Sequence, residues 1–493
     1  MGIIIKQSLR NALISYLGIA IGFVSTVKLF PSILETDQFG LTRTLLAIMF
    51  IGTQLISLGL PNSIIKFYPS LAQKTDFPKG ILIVFFIPIL ICFLVLGIIF
   101  ILAKDFLLTL YSDTPLLSEF YLYVLPLIIF SSLFSLLKNY ISALFDTVFS
   151  SFLQEISQRV VVVLALFAVY FQLINFEIFI AIFVLNYGLQ FIILFIYGYN
   201  KNFIKLRPAF DILKKSTIKS ISNFSFYTFL GGLTMILVGN IDILMIGAFQ
   251  DLAQTGIYAV ALYVGTVISM PRKVVYKISY PIITKAFSEN RLEEVKNVYK
   301  QTSLNQYLVG LLLYVGIWAN IDNLYALLPP EYSAGAAVIF VIGAANLFDL
   351  VSGANGQIIF ASKYYRFDLK ATIFLVILAV TLNLIFIPKL GILGAAIATA
   401  SSIFLYNVIK LIYVWIRFRM QPFTWRSIAI TINGVIVLAL SYLIPEFDNL
   451  FADILIRSLL MAVVYSTIIF AFNISEEFKI ATKGVLNKIS NLL

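Results

Sequence analysis

The 493-residue chain is 60% hydrophobic and only 12% charged, about half the charged fraction of an ordinary soluble domain. It has no histidine and a single cysteine, Cys92, so disulfides within the chain, histidine metal sites and histidine acid–base catalysis are excluded. These absences argue against an enzyme. The net charge of +11 would indicate a nucleic-acid partner in a soluble protein, but its distribution has to be examined first.

Apolar runs of about twenty residues follow one another along the chain, which is the length that crosses a bilayer as a helix. They predict an all-α integral membrane protein with about fourteen transmembrane helices. The first seven lie at 10–33, 42–65, 80–103, 120–143, 155–174, 178–199 and 221–248. The others lie at 256–280, 303–320, 334–361, 369–388, 391–416, 427–444 and 453–473.

The basic residues predict the orientation. With the amino end inside, 30 of the 35 Lys and Arg residues fall on inner segments, which is the bias expected for cytoplasmic loops. The remainder are Lys28, within helix 1, and the outer residues Arg43, Lys104, Lys389 and Arg457. We therefore predict cytoplasmic termini and no nucleic-acid partner. No cleavable signal precedes helix 1, which is expected to act as its own insertion signal.

Two stretches that start close to the ends of helices 1 and 7 resemble each other. Gln38-Phe39-Gly40 matches Gln254-Thr255-Gly256, and Lys66-Phe67-Tyr68-Pro69 matches Lys277-Ile278-Ser279-Tyr280-Pro281. The glycines are 216 residues apart and the prolines 212. Since six helices separate the copies, both halves enter the membrane in the same direction, and a substrate site is expected between them. The predicted organisation is an N-lobe at 1–199, a cytoplasmic linker at 200–220, a C-lobe at 221–416 and helices 13 and 14 with a tail at 417–493.

Four segments resemble polysaccharide-unit flippases, of the O-antigen and capsule type, in the multidrug/oligosaccharidyl-lipid/polysaccharide exporter superfamily. The most specific runs from Thr381 to Ser401 and contains the turn Gly391-Ile-Leu-Gly-Ala-Ala396 after Pro388. The others are Leu58 to Pro69, Asn240 to Gly247 leading to Thr255 to Ala259, and Leu328 to Tyr332. A simpler reading of the small residues in the first segment is close helix packing.

The resemblance implies a two-lobed transporter around a central cleft in the bacterial inner membrane. It would flip undecaprenyl-diphosphate-linked oligosaccharides from the cytoplasmic to the periplasmic leaflet by alternating access. Membrane lipids and the lipid-linked oligosaccharide are then the expected partners, with a polysaccharide polymerase as a further partner. No cofactor is expected, and coupling to a proton or a sodium ion stays open.

Charged residues inside the membrane are the candidates for a transport site. Their burial there is costly, so those that are present usually have a function. Lys28 and Asp242 lie 12 and 14 residues before the matched glycines Gly40 and Gly256. The hypothesis is that they pair across the cleft and that Lys28 binds diphosphate when the cleft opens. The alternative is that Lys28 extends its ammonium towards the surface.

Two further sets of candidates follow. Asp349, halfway along helix 10, is the ion-coupling candidate, although it could instead hydrogen-bond a neighbouring helix. The basic residues Lys66, Arg272, Lys273 and Lys277 end helices 2 and 8 on the inner side, where they form either a vestibule for phosphates or ordinary membrane anchors. Charged residues around the turn between helices 4 and 5 are expected to form salt bridges; they are Lys138, Asp146, Glu155 and Arg159.

Three alternatives compete with this interpretation. A drug/cation antiporter of the same superfamily usually has twelve helices and acid-lined pockets, and a lipid II flippase would be expected to carry more basic residues in helices 1, 2 and 8. A membrane enzyme needs a sizeable outer loop, whereas the longest outer connection, 104–119, is about 16 residues.

Export of an anion is favoured by an inside-negative potential, by about 2.3 kcal/mol per charge per 100 mV.

Overall fold

The computed structural model describes residues 2–475 except 76, 110, 112, 113 and 213. The predicted carboxy-terminal tail beyond residue 475 lies outside the described residues. All regular elements in the described part are helical, which confirms the predicted class.

We number the main helices α1 to α14 so that each overlaps one predicted segment. Those of the first part of the chain are α1 Arg10–Ile33, α2 Thr36–Leu71, α3 Pro78–Leu102, α4 Pro115–Ala143, α5 Val148–Tyr170, α6 Phe176–Asn200 and α7 Lys215–Phe249. Next come α8, made of Leu252–Val267 and Met270–Ser288, then α9 Leu292–Ala319 and α10 Pro330–Val351. Tyr365–Phe418 supplies α11 and α12, and Trp425–Ser441 and Leu450–Ala471 are α13 and α14. Short helices, such as Lys104–Thr109 and Asn355–Ala361, connect them.

The predicted number of spans is not confirmed. Among the residues that the structure describes, ten helices are long and apolar enough to cross a membrane, or eleven if the bent α8 is one span. Part of the difference comes from the 54-residue helix Tyr365–Phe418, which counts once. A straight helix of that length would extend about 80 Å, well beyond a bilayer core of about 30 Å. Gly391 interrupts it with φ 56° and ψ −135°, so the residues on either side form α11 and α12. The protein is a multi-pass membrane protein.

Besides the interruption at Gly391, the described residues contain breaks in or directly after three other helices. In α2, Leu58 and Gly59 both adopt left-handed backbone angles, with φ 50° and 74°. The two parts of α8 meet at an angle of 45°. After Val351, α10 is followed by a turn and then by Asn355–Ala361.

The described residues separate into two compact units, with the boundary between Ala259 and Val260. The first contains α1 to α7 and the start of α8, and within it α7 packs against α2. In the second, a core cluster that includes Tyr307, Leu350 and Tyr465 joins α9, α10, α13 and α14. The lobes predicted with a linker at 200–220 stay a prediction.

The matched glycines of the sequence repeat contact each other within the first unit. A Cβ added to Gly40 would lie 1.7 Å from the carbonyl oxygen of Leu252, and one added to Gly256 would lie 2.4 Å from that of Thr36. The contact is reciprocal, since each glycine faces the residue four positions before its counterpart. The copies also begin alike: the acidic Glu35 and Asp251 each accept a backbone N–H three residues later. These equivalences support the predicted repeat.

Candidate functional site

The break in α8 carries a charged side chain that meets a carboxylate of α10. The Arg272 guanidinium, two residues after the start of the second part of α8, donates through Nη1 to Asp349 Oδ2. The Asp349 side chain is 10% exposed, whereas that of Arg272 is 38% exposed. These two residues were predicted to have separate roles, and the structure brings them into direct contact.

A second ion pair lies in the same unit. Its cation is more deeply buried than Arg272. Lys410 of α12, only 4% exposed, places its ammonium 2.6 Å from Asp368 Oδ1 at the start of α11. The ammonium also donates to the Tyr406 hydroxyl and lies 4.1 Å from the centre of that ring. Gly356 leaves the space that the ammonium occupies, because a Cβ there would lie 3.0 Å from Nζ.

Asn407 contacts the first pair and lies close in sequence to the lysine of the second. Its Nδ2 donates to Asp349 Oδ1 over 3.0 Å, and its Oδ1 accepts from Asn355 over 3.1 Å. Since Asn407 and Lys410 are three residues apart on α12, they share one face of the helix. We call the five residues Arg272, Asp349, Asp368, Asn407 and Lys410 the polar centre.

Hydrogen bonds also hold the broken ends of α8 and α10 around the polar centre. The Tyr276 hydroxyl donates to the Gly353 carbonyl over 3.1 Å. Gln357 Nε2 donates to the Tyr276 carbonyl over 2.8 Å, and Gln357 Oε1 accepts from Ser279 over 2.6 Å. Discontinuous helices that end on polar side chains are a common way in which transporters form substrate and ion sites.

The break in α2 is held by uncharged groups instead. Ser63 and Ser225 hydroxyls are 2.6 Å apart, and Thr228 Oγ1 donates to the Gly59 carbonyl over 3.2 Å. Gln54 Nε2 donates to the Phe229 carbonyl over 3.0 Å. All these contacts join α2 to α7.

Lys28 and Asp242 differ in their surroundings. Lys28 lies in the π-helical turn Val24–Leu29 and is exposed. Asp242 is 4% exposed and accepts a hydrogen bond of 2.7 Å from the Tyr258 hydroxyl. Their pairing stays a prediction.

The predicted basic vestibule separates into two kinds of residue. Lys273 and Lys277 are exposed, and so is Lys66, whose ammonium lies 3.8 Å from the centre of the Phe224 ring. Arg272 instead belongs to the polar centre.

The charged turn between α4 and α5 contains one of the predicted salt bridges. Arg159 and Glu155 pair at 3.3 Å. Lys138 donates to Gln154, and Asp146 accepts from the Tyr197 hydroxyl over 2.7 Å. Two of the four residues therefore use uncharged partners. In the described part of the chain, no group of three Asp, Glu or Cys side chains is arranged as a metal site.

Three members of the polar centre were not predicted as site residues: Lys410, Asp368 and Asn407. Lys410 entered the tally of inner basic residues, although it lies six positions before the predicted end of helix 12. That depth, together with Asn407 three residues earlier, was the available signal.

Comparisons with known proteins identify the relatives of this chain. A family model described as "Polysaccharide biosynthesis protein" matches residues 5–287, more than half of the chain. A curated relative, the probable low-salt glycan biosynthesis flippase Agl15 of Haloferax volcanii, is 23% identical over 264 residues. That match covers 52% of this chain and 56% of the relative, so it spans little more than half of that protein's length.

Two solved structures show the same fold. The lipid II flippase MurJ in an inward closed conformation matches with a TM-score of 0.75 at 14% identity, over 94% of this chain and 98% of that chain. An inward-facing multidrug resistance transporter of the MATE family in the MOP superfamily matches with a TM-score of 0.60 at 13% identity, over 82% and 94%.

Proposed function

Because the chain belongs to the polysaccharide biosynthesis protein family, we propose that it is a flippase for undecaprenyl-diphosphate-linked oligosaccharides. It transfers them from the cytoplasmic to the periplasmic leaflet of a bacterial inner membrane by alternating access, and the product serves surface polysaccharide synthesis. The similarity to a probable glycan biosynthesis flippase, matched over about half its length, supports this proposal.

The observation that carries the proposal is the Arg272–Asp349 pair at the break of α8. Arginine is well suited to phosphate, because its planar guanidinium can donate two parallel hydrogen bonds. The partial exposure of Arg272 gives an anion access to it, while the buried Asp349 holds it when no substrate is present. In this mechanism the substrate diphosphate exchanges with Asp349 for Arg272, and no covalent bond changes.

That exchange assigns a role to the ion-coupling candidate. When diphosphate takes Arg272, the Asp349 carboxylate keeps only the hydrogen bond from Asn407, and a buried charge without a counter-ion is costly. A proton or a sodium ion would neutralise it. Lys410 and Asp368 form their own pair and need no such ion.

The proposal can be tested by genetics. Deletion of the gene should abolish surface polysaccharide and leave its lipid-linked precursor in the cytoplasmic leaflet. Complementation with Arg272→Gln should restore at least tenfold less polysaccharide than the wild-type gene at equal protein level. Lys285→Gln, an exposed lysine of α8 outside the site, is the matched control and should restore it fully.

Other outcomes identify the alternatives. Growth arrest with accumulated peptidoglycan precursor would indicate a lipid II flippase, a function compatible with the fold. Unchanged polysaccharide together with increased sensitivity to cationic drugs would indicate a drug antiporter. Either result overturns the proposal.

A further inference from the structure

An apolar groove of about 410 Å³ lies within the first unit, between α7 and the segments around the α2 break and α3. Its volume is within the range of small-molecule sites, about 300 to 1,000 Å³. Apart from Ser222 and Ser225, the lining side chains are hydrophobic, and they include Leu58, Phe85, Ile218 and Phe229. The Ser225 hydroxyl is already bonded to Ser63, so the groove has little to offer a polar ligand.

The groove continues into a basic end along a single face of α7. Residues at spacings of three and four share a face of a helix, and Lys215, Ile218, Ser222, Ser225 and Phe229 follow that spacing. From Ile218 to Phe229 the apolar part extends over about 16 Å, at 1.5 Å per residue. Lys215 precedes Ile218 by about one turn and Lys219 directly follows it, and both lysines are exposed.

A third lysine lies on α2, next to α7. Lys66 of α2 is exposed and rests on the ring of Phe224 of α7, 3.8 Å from its centre. The segment 200–220 that leads into α7 has six basic residues and one acidic residue, Asp211. Three lysines beside one apolar groove complement an amphiphile with more than one negative charge in its head group.

We propose that this groove binds the isoprenoid chain of the transported lipid, with its diphosphate near Lys66, Lys215 and Lys219. The inference rests on the proposed function: it gives the lipid a site that it occupies before its diphosphate exchanges with Asp349 for Arg272. A diphosphate suits three lysines better than the single phosphate of an ordinary membrane phospholipid, because each further charge adds to the attraction. The isoprenoid chain would lie beside the α2 break, where Leu58 and Leu60 line the groove.

The test uses purified full-length protein in detergent micelles and a polyisoprenyl diphosphate with a benzophenone in its chain. Photolabelling should map to residues 218–229. Ser222→Trp fills the groove and should lower the labelling at least tenfold. Met235→Trp is the matched control, because it also adds a tryptophan to an exposed position of α7 but lies outside the groove, and it should change labelling less than twofold.

The lysines are tested with the head group. The double variant Lys215→Gln and Lys219→Gln should lower labelling by the diphosphate about fivefold and leave labelling by the uncharged polyisoprenol probe unchanged. Equal labelling of wild type and Ser222→Trp would overturn the proposal. So would displacement of the probe by an equal amount of phosphatidylglycerol, which would make the groove an ordinary lipid site.

The two proposals fail separately. If the probe labels the groove but the protein does not transport the glycan, the proposed function is overturned and the tail site is retained. Transport that is unaffected by Ser222→Trp, with no labelling at 218–229, would overturn the tail site alone.

Discussion

The breaks in α2 and α8 lie in matching parts of the sequence repeat, and each is followed by a proline, Pro61 or Pro271. Their chemistry differs. Hydroxyl and amide groups hold the first break against α7, whereas an ion pair with Asp349 holds the second. An uncharged break presents nothing for an anion to displace, whereas a charged break presents a guanidinium that can exchange partners. The repeat therefore contains a helix break in each copy, and the charged side chains at the second break make it the candidate for substrate exchange.

The largest effect is expected from removing a charge of the polar centre. Asp368→Asn leaves the buried Lys410 ammonium without its carboxylate, so the free energy of unfolding should fall by about 3–5 kcal/mol. Adding Lys410→Met should recover most of that loss, because both charges are then absent. Denaturant titration in detergent measures it. Glu293→Gln breaks an exposed pair with Lys296 and should cost less than about 1 kcal/mol. If Asp368→Asn were as stable as wild type, the pair would make no contribution to the free energy of unfolding.

The break in α2 depends on the shape of the backbone. Gly59 has φ 74°, and a Cβ there would lie 2.2 Å from the Ser225 carbonyl oxygen. Gly59→Ala should therefore lower the free energy of unfolding by about 2–4 kcal/mol through strain and overpacking. Gly231→Ala on α7, with open space around its Cβ, should be neutral or stabilising. Similar effects in both variants would contradict the described packing at the break.

Substrate affinity should distinguish the members of the exchangeable pair. Arg272→Gln should weaken binding of a radiolabelled lipid-linked diphosphate at least tenfold, which corresponds to about 1.4 kcal/mol. Asp349→Asn should tighten it several-fold, because the substrate no longer competes with a carboxylate for Arg272. Equilibrium binding in detergent measures both. Weaker binding in Asp349→Asn would show that the carboxylate supports the site and does not compete with substrate.

The smallest effect is expected from the uncharged break. Ser63→Ala removes one hydroxyl of the Ser63–Ser225 pair and should cost about 1 kcal/mol of unfolding free energy. It should leave diphosphate binding unchanged. Ser70→Ala, an exposed serine of the same helix, is the control for the loss of a hydroxyl and should have no measurable effect. A binding defect in Ser63→Ala would make the two breaks functionally alike.

Hydrophobic runs were sufficient to predict the helical membrane class, because apolar length is visible in the sequence itself. The breaks were harder to see, since Gly59 and Pro271 both lie inside segments that were each predicted as one continuous helix, 42–65 and 256–280. Asp349 was recognised as a candidate from its depth and Arg272 from its place near the inner end of helix 8, yet they are 77 residues apart and only packing brings them together. Lys410 was counted only among the basic residues that indicate membrane orientation, because a lysine near an inner helix end has the same sequence pattern whether it faces water or pairs with Asp368.

Transport by purified protein tests the central claim most directly. Proteoliposomes that contain the lipid-linked oligosaccharide should lose it from the donor leaflet, measured by an impermeant sugar-modifying enzyme added outside. We expect wild type to translocate it, faster with a potential that drives anions across, and Arg272→Gln to be at least tenfold slower at equal reconstitution. Equal rates in the two proteins, or no translocation by wild type in vesicles where it moves a cationic drug, would contradict the account.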